Sequence, residues 1–188
     1  GVTNGTTNFV LSAMENGASF DDALAEAQRS GFTELDPSAD LDGIDAAQKL
    51  SILAAVAFGA RLHWRAIPRR GIRGLTPDDV TRARQRGARL KLVARARRAG
   101  SDIVASVSPE HVSMDSPLAT TNGAENAFVI VTRHAGPVVV GGLGAGRSPT
   151  AAAIVGDLDD LAADGPRAKA LASPGPPNID AKETQNAL

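Results

Sequence analysis

The sequence predicts an α+β fold, with helices packed on one face of a mostly antiparallel or mixed β-sheet. Apolar residues recur at helical spacing through about the first 87 residues, and β-branched runs with strand-like alternation follow them. Helices that precede strands, instead of alternating with them, favour this class over a parallel α/β sheet. With 188 residues, 43% of them hydrophobic, the chain can bury one substantial core.

Helices are expected over residues 6–16, 20–29, 44–58 and from about 77 to 87. Ser19 is a plausible N-cap for the second helix, which stops at Gly31. The fourth begins with the sequence Thr-Pro-Asp-Asp at Thr76, which combines an N-cap, a proline at the first position and acids in the first turn. Residues 32–42 are expected to be irregular, because Pro37 disfavours helix just before it.

The second half of the chain reads mainly as strands. Residues 89–97 alternate, which predicts one buried and one solvated face. The apolar side comprises Leu90, Leu92, Ala94 and Ala96, and the solvated side comprises Lys91, Arg95 and Arg97. Further strands are expected over 103–107, 127–132 and 138–141, with turns at Asn122-Gly123 and Gly136-Pro137. A last helix is expected over 148–163, and the polar segment 164–188 is expected to be disordered.

A cluster of carboxylates precedes the apolar helix expected over 44–58. It comprises Glu34, Asp36, Asp40, Asp42 and Asp45. Lys49 follows Asp45 by four positions, so the two share a helix face with roughly 5–6 Å between their Cβ atoms. The pattern indicates a site for a polar, amine-bearing substrate, with Lys49 placed for proton transfer. Such pairs are also common on solvated surfaces, and acids before a helix are common as caps.

Composition excludes several other classes of protein. The net charge of −1 gives no general attraction to nucleic acid or to an anionic membrane, and no apolar run approaches about 18 residues. The absence of cysteine excludes disulfides and thiolate chemistry and fits a cytosolic setting. A calcium loop starting at Asp40 fails, because Ile44 occupies the third ligand position. The scattered histidines lack ligand spacing, so no metal site is expected.

Three segments form an ordered set of motifs. They are GVTNGTTNFVLS (residues 1–12), GFTELDPSADLDGIDAAQKLSILA (31–54) and GAGRSPTAAAIVGDL (144–158). They resemble, in the same order, three motifs of the homoserine dehydrogenase family: G-I-x-N-G-T-T-N-Y-I-L, G-Y-x-E-x-D-P-x-x-D-x-x-G-x-D-x-x-x-K-x-x-I-L and G-A-G-x-x-P-T-A-x-A-V-x-x-D-L. The middle motif is long and specific, which makes a chance match improbable.

The resemblance implies NAD(P)-dependent interconversion of L-homoserine and L-aspartate 4-semialdehyde, in threonine, methionine and isoleucine biosynthesis, by a cytoplasmic homodimer. It implies a catalytic and substrate-binding domain over residues 1–147 and a closing helix over 148–163 that would pack on an N-terminal dinucleotide-binding domain. No G-x-G-x-x-G follows a strand in this chain. The chain is therefore expected to be a fragment, with NADP or NAD bound mostly by a domain outside it. The family's monovalent-cation site is likewise expected outside it.

The same resemblance implies residue roles. Lys49 matches the family's general acid and base, and burial in an apolar helix environment is expected to tune it for that role. The residues that match substrate contacts are Glu34, Asp45, Asp40 and Thr6. Gly31 and Gly146 match glycines whose backbone lies against the cofactor. Phe32 stands where many members have tyrosine, which removes a hydroxyl near the substrate.

Two other function classes remain open from the residues. The segment GGLGAGRS (141–148) departs from the phosphate-binding P-loop G-x-x-x-x-G-K-[ST] at one position, where Arg147 replaces lysine. The arginine-rich stretch 82–98 could bind nucleic acid as a non-enzymatic domain. Its alternation fits a solvated strand face better, and no aromatic residue interleaves to stack on bases.

Overall fold

The computed structural model describes residues 1–144 and 146–163. Its elements are α1 (Gly5–Glu15), α2 (Phe20–Arg29), α3 (Ser38–Leu41), α4 (Ile44–Phe58), a 3-10 turn (Trp64–Ala66), α5 (Pro77–Gln85), β1 (Ala88–Ala99), β2 (Asp102–Ser113), β3 (Glu125–Val131), β4 (Pro137–Leu143) and α6 (Arg147–Ala162). The helices other than α6 precede the strands, which pair antiparallel, so the predicted α+β class is confirmed. The segment 164–188, expected to be disordered, lies outside the described residues.

The strands form two antiparallel hairpins joined by the start of the chain. β1 pairs with β2 from Ala88 opposite Ser113 to Ala99 opposite Asp102, and β3 pairs with β4. Val2 exchanges backbone hydrogen bonds of 2.8 and 2.9 Å with Ala127 of β3. Ala94 of β1 donates its N–H to the Gly1 carbonyl oxygen at 2.9 Å. The residues just before α1 are thereby fixed between the hairpins.

Helices cover one face of the β1–β2 hairpin, as the alternation predicts. The apolar cluster there includes Leu90, Leu92, Ala94, Ile103, Ala105 and Val107 from the strands, and Val10, Leu11, Leu41, Ala47 and Leu50 from the helices. Ala96 packs at its edge. Burial of these side chains on one face holds α1 and α4 against the sheet.

The opposite face of β1 is only partly solvated, so the prediction for Lys91 is wrong. Arg95 and Arg97 are exposed, but Lys91 is 0% exposed. Its ammonium donates hydrogen bonds to Asn8 Oδ1 at 2.8 Å and to the Thr121 carbonyl oxygen at 2.7 Å. Alternation shows that Lys91 points away from the core helices, but segments distant in sequence decide whether protein or water covers that face.

The prediction of irregular structure throughout residues 32–42 is also wrong, because α3 directly follows Pro37. Proline disfavours helix in the residue before it and tolerates a helix that starts after it. Asp36 Oδ1 accepts the N–H of Ser38 at 3.0 Å, which supports the first turn. β2 runs to Ser113 instead of ending at 107, and Pro109 is tolerated because β2 is an edge strand there. The other bounds agree with expectation to within one or two residues.

β4 and α6 contribute little to the core. Every residue of β4 is exposed, and no residue of α6 is buried. Their exposed large apolar residues are Val138, Val139, Val140, Leu143, Ile154, Val155, Leu158 and Leu161, with exposures of 41–70%. Within the ranges described, none of the helices has the length and apolar character needed to cross a bilayer.

Candidate functional site

The centre of the candidate site is an ion pair on the first turns of α4. Lys49 Nζ lies 2.8 Å from Asp45 Oδ2, at the predicted i, i+4 spacing. The two side chains are 42% and 26% exposed, so the pair is open to a ligand from solvent. An ion pair this exposed contributes only about 0–1 kcal/mol to stability. The apolar burial expected around Lys49 is not found, because Ala46, Ala47 and Leu50 take the inward face of α4.

Asn4 connects this ion pair to a second carboxylate. Its Nδ2 donates to Asp40 Oδ1 at 2.6 Å and to Asp45 Oδ2 at 2.8 Å. Its Oδ1 accepts the backbone N–H of Thr7 at 2.8 Å and so caps α1. The partners fix the orientation of the amide, since a backbone N–H can only donate and ionised carboxylates can only accept.

Two threonines tie the loop after α2 to this cluster. Thr33 Oγ1 donates to Asp40 Oδ2 at 2.9 Å, and Thr6 Oγ1 donates to the Phe32 carbonyl oxygen at 2.8 Å. The Phe32 ring lies against Phe9 of α1, with ring centroids 5.0 Å apart. Four of the residues selected from sequence are thus brought together: Thr6, Asp40, Asp45 and Lys49.

Glu34 lies in the same loop, but its carboxylate is exposed and makes no hydrogen bond or ion pair to any residue in the described ranges. The loop backbone is held by Gln28, whose Nε2 lies 3.4 Å from the carbonyl oxygens of Glu34 and Leu35. Glu34 is therefore available to a ligand without first breaking a contact within the chain.

The two predicted cofactor glycines lie at helix ends. Gly31 terminates α2 with φ +71°, and Phe32 N–H bonds back to the Ala27 carbonyl oxygen at 2.9 Å, a helix stop that itself favours glycine. Gly146 begins α6 with φ +111°. An added Cβ would meet nothing within 4 Å at Gly31 and only Pro149 Cδ, at 3.9 Å, at Gly146. The described residues provide no hydrogen bond between Gly146 and the Asp–Lys cluster.

Asn4, Thr33 and Lys91 were not selected from the sequence. Asn4 lies inside the first motif and directly before a helix, so its role as N-cap could have been predicted from the sequence. Its contacts with Asp40 and Asp45 cross 36 and 41 residues, a separation over which periodicity carries no signal. The same holds for Lys91 and Asn8, which are 83 residues apart.

Other site types gain no support. No group of three or more His, Asp or Glu side chains in residues 1–144 and 146–163 is placed to hold a metal ion. The arginines of 82–98 lie in α5, at its C-cap Arg86 and in β1. Several are paired with acids: Arg82 with Asp79, Arg89 with Glu15 and Arg95 with Glu110, at 2.5, 3.5 and 2.7 Å. The glycine-rich stretch does join β4 to α6, but Arg147 still stands in place of the P-loop lysine.

The chain is similar to known proteins over most of its length. A family profile described as homoserine dehydrogenase matches residues 1–158. A homoserine dehydrogenase of Mycobacterium leprae is 44% identical over 182 residues, which cover 94% of this chain and 40% of that protein. An NAD(+)-dependent homoserine dehydrogenase of Pseudomonas canavaninivorans is 43% identical over 159 residues, covering 84% of this chain and 45% of that protein.

Solved structures show the same fold. The crystal structure of a homoserine dehydrogenase from Thiobacillus denitrificans aligns with a TM-score of 0.80 and 45% identity, covering 84% of this chain and 37% of that one. The S. aureus homoserine dehydrogenase at pH 7.5 also gives a TM-score of 0.80, with 36% identity over 86% of this chain and 40% of that one. The chain spans about 40% of the length of these relatives.

Proposed function

The chain belongs to the homoserine dehydrogenase family of oxidoreductases, and on that premise we propose that it supplies substrate binding and proton transfer to an NAD(P)-dependent homoserine dehydrogenase. The proposed reaction interconverts L-homoserine and L-aspartate 4-semialdehyde, and it serves threonine, methionine and isoleucine biosynthesis. The observation that carries the proposal is the Asp45–Lys49 pair, with the Asn4–Asp40 contacts behind it, placed on the family's motifs.

Oxidation of a primary alcohol to an aldehyde removes a hydride from carbon and a proton from oxygen. Bound NAD(P)+ supplies the hydride acceptor. The proton passes from the substrate hydroxyl to the neutral Lys49 Nζ, and in the reverse direction the Lys49 ammonium returns it to the carbonyl oxygen. Asp45, whose Oδ2 lies 2.8 Å from Nζ, orients the amine.

The acidic residues around Lys49 suit an amino-acid substrate. We assign Glu34, whose exposed carboxylate makes no hydrogen bond or ion pair within the described ranges, to the ammonium group of homoserine. Asp40 and Asp45 add negative charge beside it, while the Thr6 hydroxyl holds the loop through Phe32. Phe32 has no hydroxyl, so any substrate contact made by a tyrosine at this position in relatives is missing here.

The cofactor, assembly and location of the protein are also proposals. NADP or NAD would lie against the backbone at Gly31 and Gly146, where added side chains would project into open space. Most of its binding would come from residues outside this chain, as would the monovalent-cation site. The exposed apolar side chains of β4 suit a homodimer contact. A cytoplasmic location follows from the biosynthetic role.

Replacement of Lys49 tests the function. In the full-length protein, Lys49→Ala should lower kcat for homoserine oxidation by about 10²-fold or more, the scale expected for loss of a general acid–base, with the KM for cofactor little changed. Lys49→Arg should be similarly impaired, because arginine keeps the positive charge but does not titrate. Gln48→Ala, at the exposed neighbouring position, is the matched control. Near-normal turnover of either Lys49 variant would refute the assignment.

A further inference from the structure

We propose that Asn4 is a positioning residue that holds the carboxylate of Asp45 against Lys49 for proton transfer. The inference rests on the proposed function of Lys49. Asn4 Nδ2 and Lys49 Nζ both donate to the same oxygen, Asp45 Oδ2, each at 2.8 Å. The rotation of the carboxylate is thus fixed from two sides, and Asn4 is the buried one of the two donors.

The amide of Asn4 has the number of hydrogen-bond donors that this role requires. Nδ2 carries two hydrogens, and its two carboxylate partners take one each. Two carboxylates that share one nitrogen lie close enough to repel each other, and donors between them offset that repulsion. Serine would offer one donor, and an ionised aspartate would offer none and add a third negative charge.

Asn4 is itself held rigidly. The residue is 4% exposed, and its Oδ1 accepts the Thr7 N–H. Gly1 and Val2, a few residues before it, bond to β1 and β3, so the chain that leads into Asn4 is anchored to both hairpins. On the far side of the cluster, Thr33 holds the second oxygen of Asp40. Orientation of a reacting group requires a rigidly held donor, because small misplacements of catalytic groups greatly lower the rate.

A simpler account is that Asn4 only caps α1. Capping uses only Oδ1, and serine caps helices about as well as asparagine. The variant Asn4→Ser therefore keeps the cap and removes the double donor. The variant Asn4→Asp also keeps a capping oxygen but places a third carboxylate beside Asp40 and Asp45. Asn16→Ser makes the same exchange at the other end of α1 and is the matched control.

The experiment measures kcat, the KM for homoserine and the pH profile of kcat in the full-length protein, together with Tm. Asn4→Ser should lower kcat by about 10-fold or more while Tm changes by a few degrees at most. Asn4→Asp should change the pH profile of kcat, because it removes both donors and places a third carboxylate beside Asp40 and Asp45. Asn16→Ser should leave kcat and the profile unchanged.

The outcomes separate this inference from the proposed function. If Lys49→Ala is inactive but Asn4→Ser matches the parent in kcat and pH profile, Asn4 is only a helix cap and the inference is overturned. If Asn4→Ser does not fold, an unchanged pH profile in Asn4→Asp overturns it equally. Normal turnover of Lys49→Ala would instead reject the proposed function, and the inference with it.

Discussion

Lys91 is the residue whose environment departs furthest from the sequence expectation. Its burial lowers the pKa of its ammonium from 10.5 to about 8; the nearby Glu15 and Glu125 charges oppose the shift, and Arg89 adds to it. The lysine is kept in this position by hydrogen bonds to Asn8 and Thr121.

Asn8, the partner of Lys91, also forms hydrogen bonds with the backbone of residues 121–125. Its Nδ2 lies 3.3, 2.9 and 3.2 Å from the carbonyl oxygens of Thr121, Gly123 and Glu125. Lys91 and Asn8 together fasten α1 to the segment that leads into β3. Since Asn4 is the N-cap of α1, this attachment also supports the candidate site.

The lowered pKa of Lys91 predicts a pH dependence of stability. Between about pH 8 and 10.5 the unfolded chain binds more protons at this lysine than the folded chain does. The free energy of unfolding should therefore gain a contribution that rises with pH across that window and is smallest below pH 8. Lys91→Met, which fills similar space without a charge, should remove this rise. Denaturant unfolding at several pH values between about 7.5 and 10.5 measures the free energy of unfolding of the parent and the variant. Parallel curves for parent and variant would contradict it.

At the scale of elements, α3 is the part of the site that local sequence did not predict. It brings Asp40 to Asn4 and is docked on the segment after the 3-10 turn. Ile72 N–H donates to the Leu41 carbonyl oxygen at 2.8 Å. Arg73 bonds Asp42 at 2.5 Å and Ser38 Oγ at 2.9 Å. The position of Asp40 therefore depends on how closely these two segments approach.

Gly71 allows that close approach, and its replacement is a test. A Cβ at this position would lie 1.8 Å from the Leu41 carbonyl oxygen, so the backbone of α3 would have to move. Gly71→Ala should lower Tm by several degrees, the scale of a loss of about 1 kcal/mol or more, and should reduce turnover through Asp40. Gly142→Ala is the control, because a Cβ there meets nothing within 4 Å. Equal Tm values for the two variants would show that α3 docking tolerates the extra methyl.

At the scale of the whole molecule, the apolar surface of β4 and α6 stands out. It comprises the exposed apolar side chains of β4 and α6, from Val138 to Leu143 and from Ile154 to Leu161, none of which is buried. Exposed apolar patches of more than a few hundred Å² mark interaction surfaces. We propose that α6 packs on a dinucleotide-binding domain and that β4 contributes to a dimer contact.

Residues 1–188 alone should accordingly fold, self-associate and show no homoserine-dependent formation of NAD(P)H. Sedimentation of the purified chain measures the association, and absorbance of the reduced cofactor measures the activity. Val139→Glu on β4 and Leu158→Glu on α6 identify which surface is responsible, because each places a charge in the exposed apolar patch. A strictly monomeric chain would argue against the interface role, and robust turnover would place cofactor binding within this chain.

The sequence determined the features of this protein that depend on local backbone geometry. The α+β order, the bounds of α4 and the buried face of β1 follow from the 3.6- and 2-residue periods. The Asp45–Lys49 pair follows from the same geometry, since residues four apart meet on a helix wherever that helix packs. The family motifs added the proposed chemical roles, which local geometry does not contain.

Tertiary structure alone decided which distant groups meet these local features. It joined Asn4 to Asp40 and Asp45, buried Lys91 against Asn8 and left Lys49 half-exposed. Sequence periodicity predicts the face on which a side chain lies, but not whether protein or water covers that face. That depends on the docking of segments 36 to 83 residues away, whose hydrogen bonds no local pattern encodes.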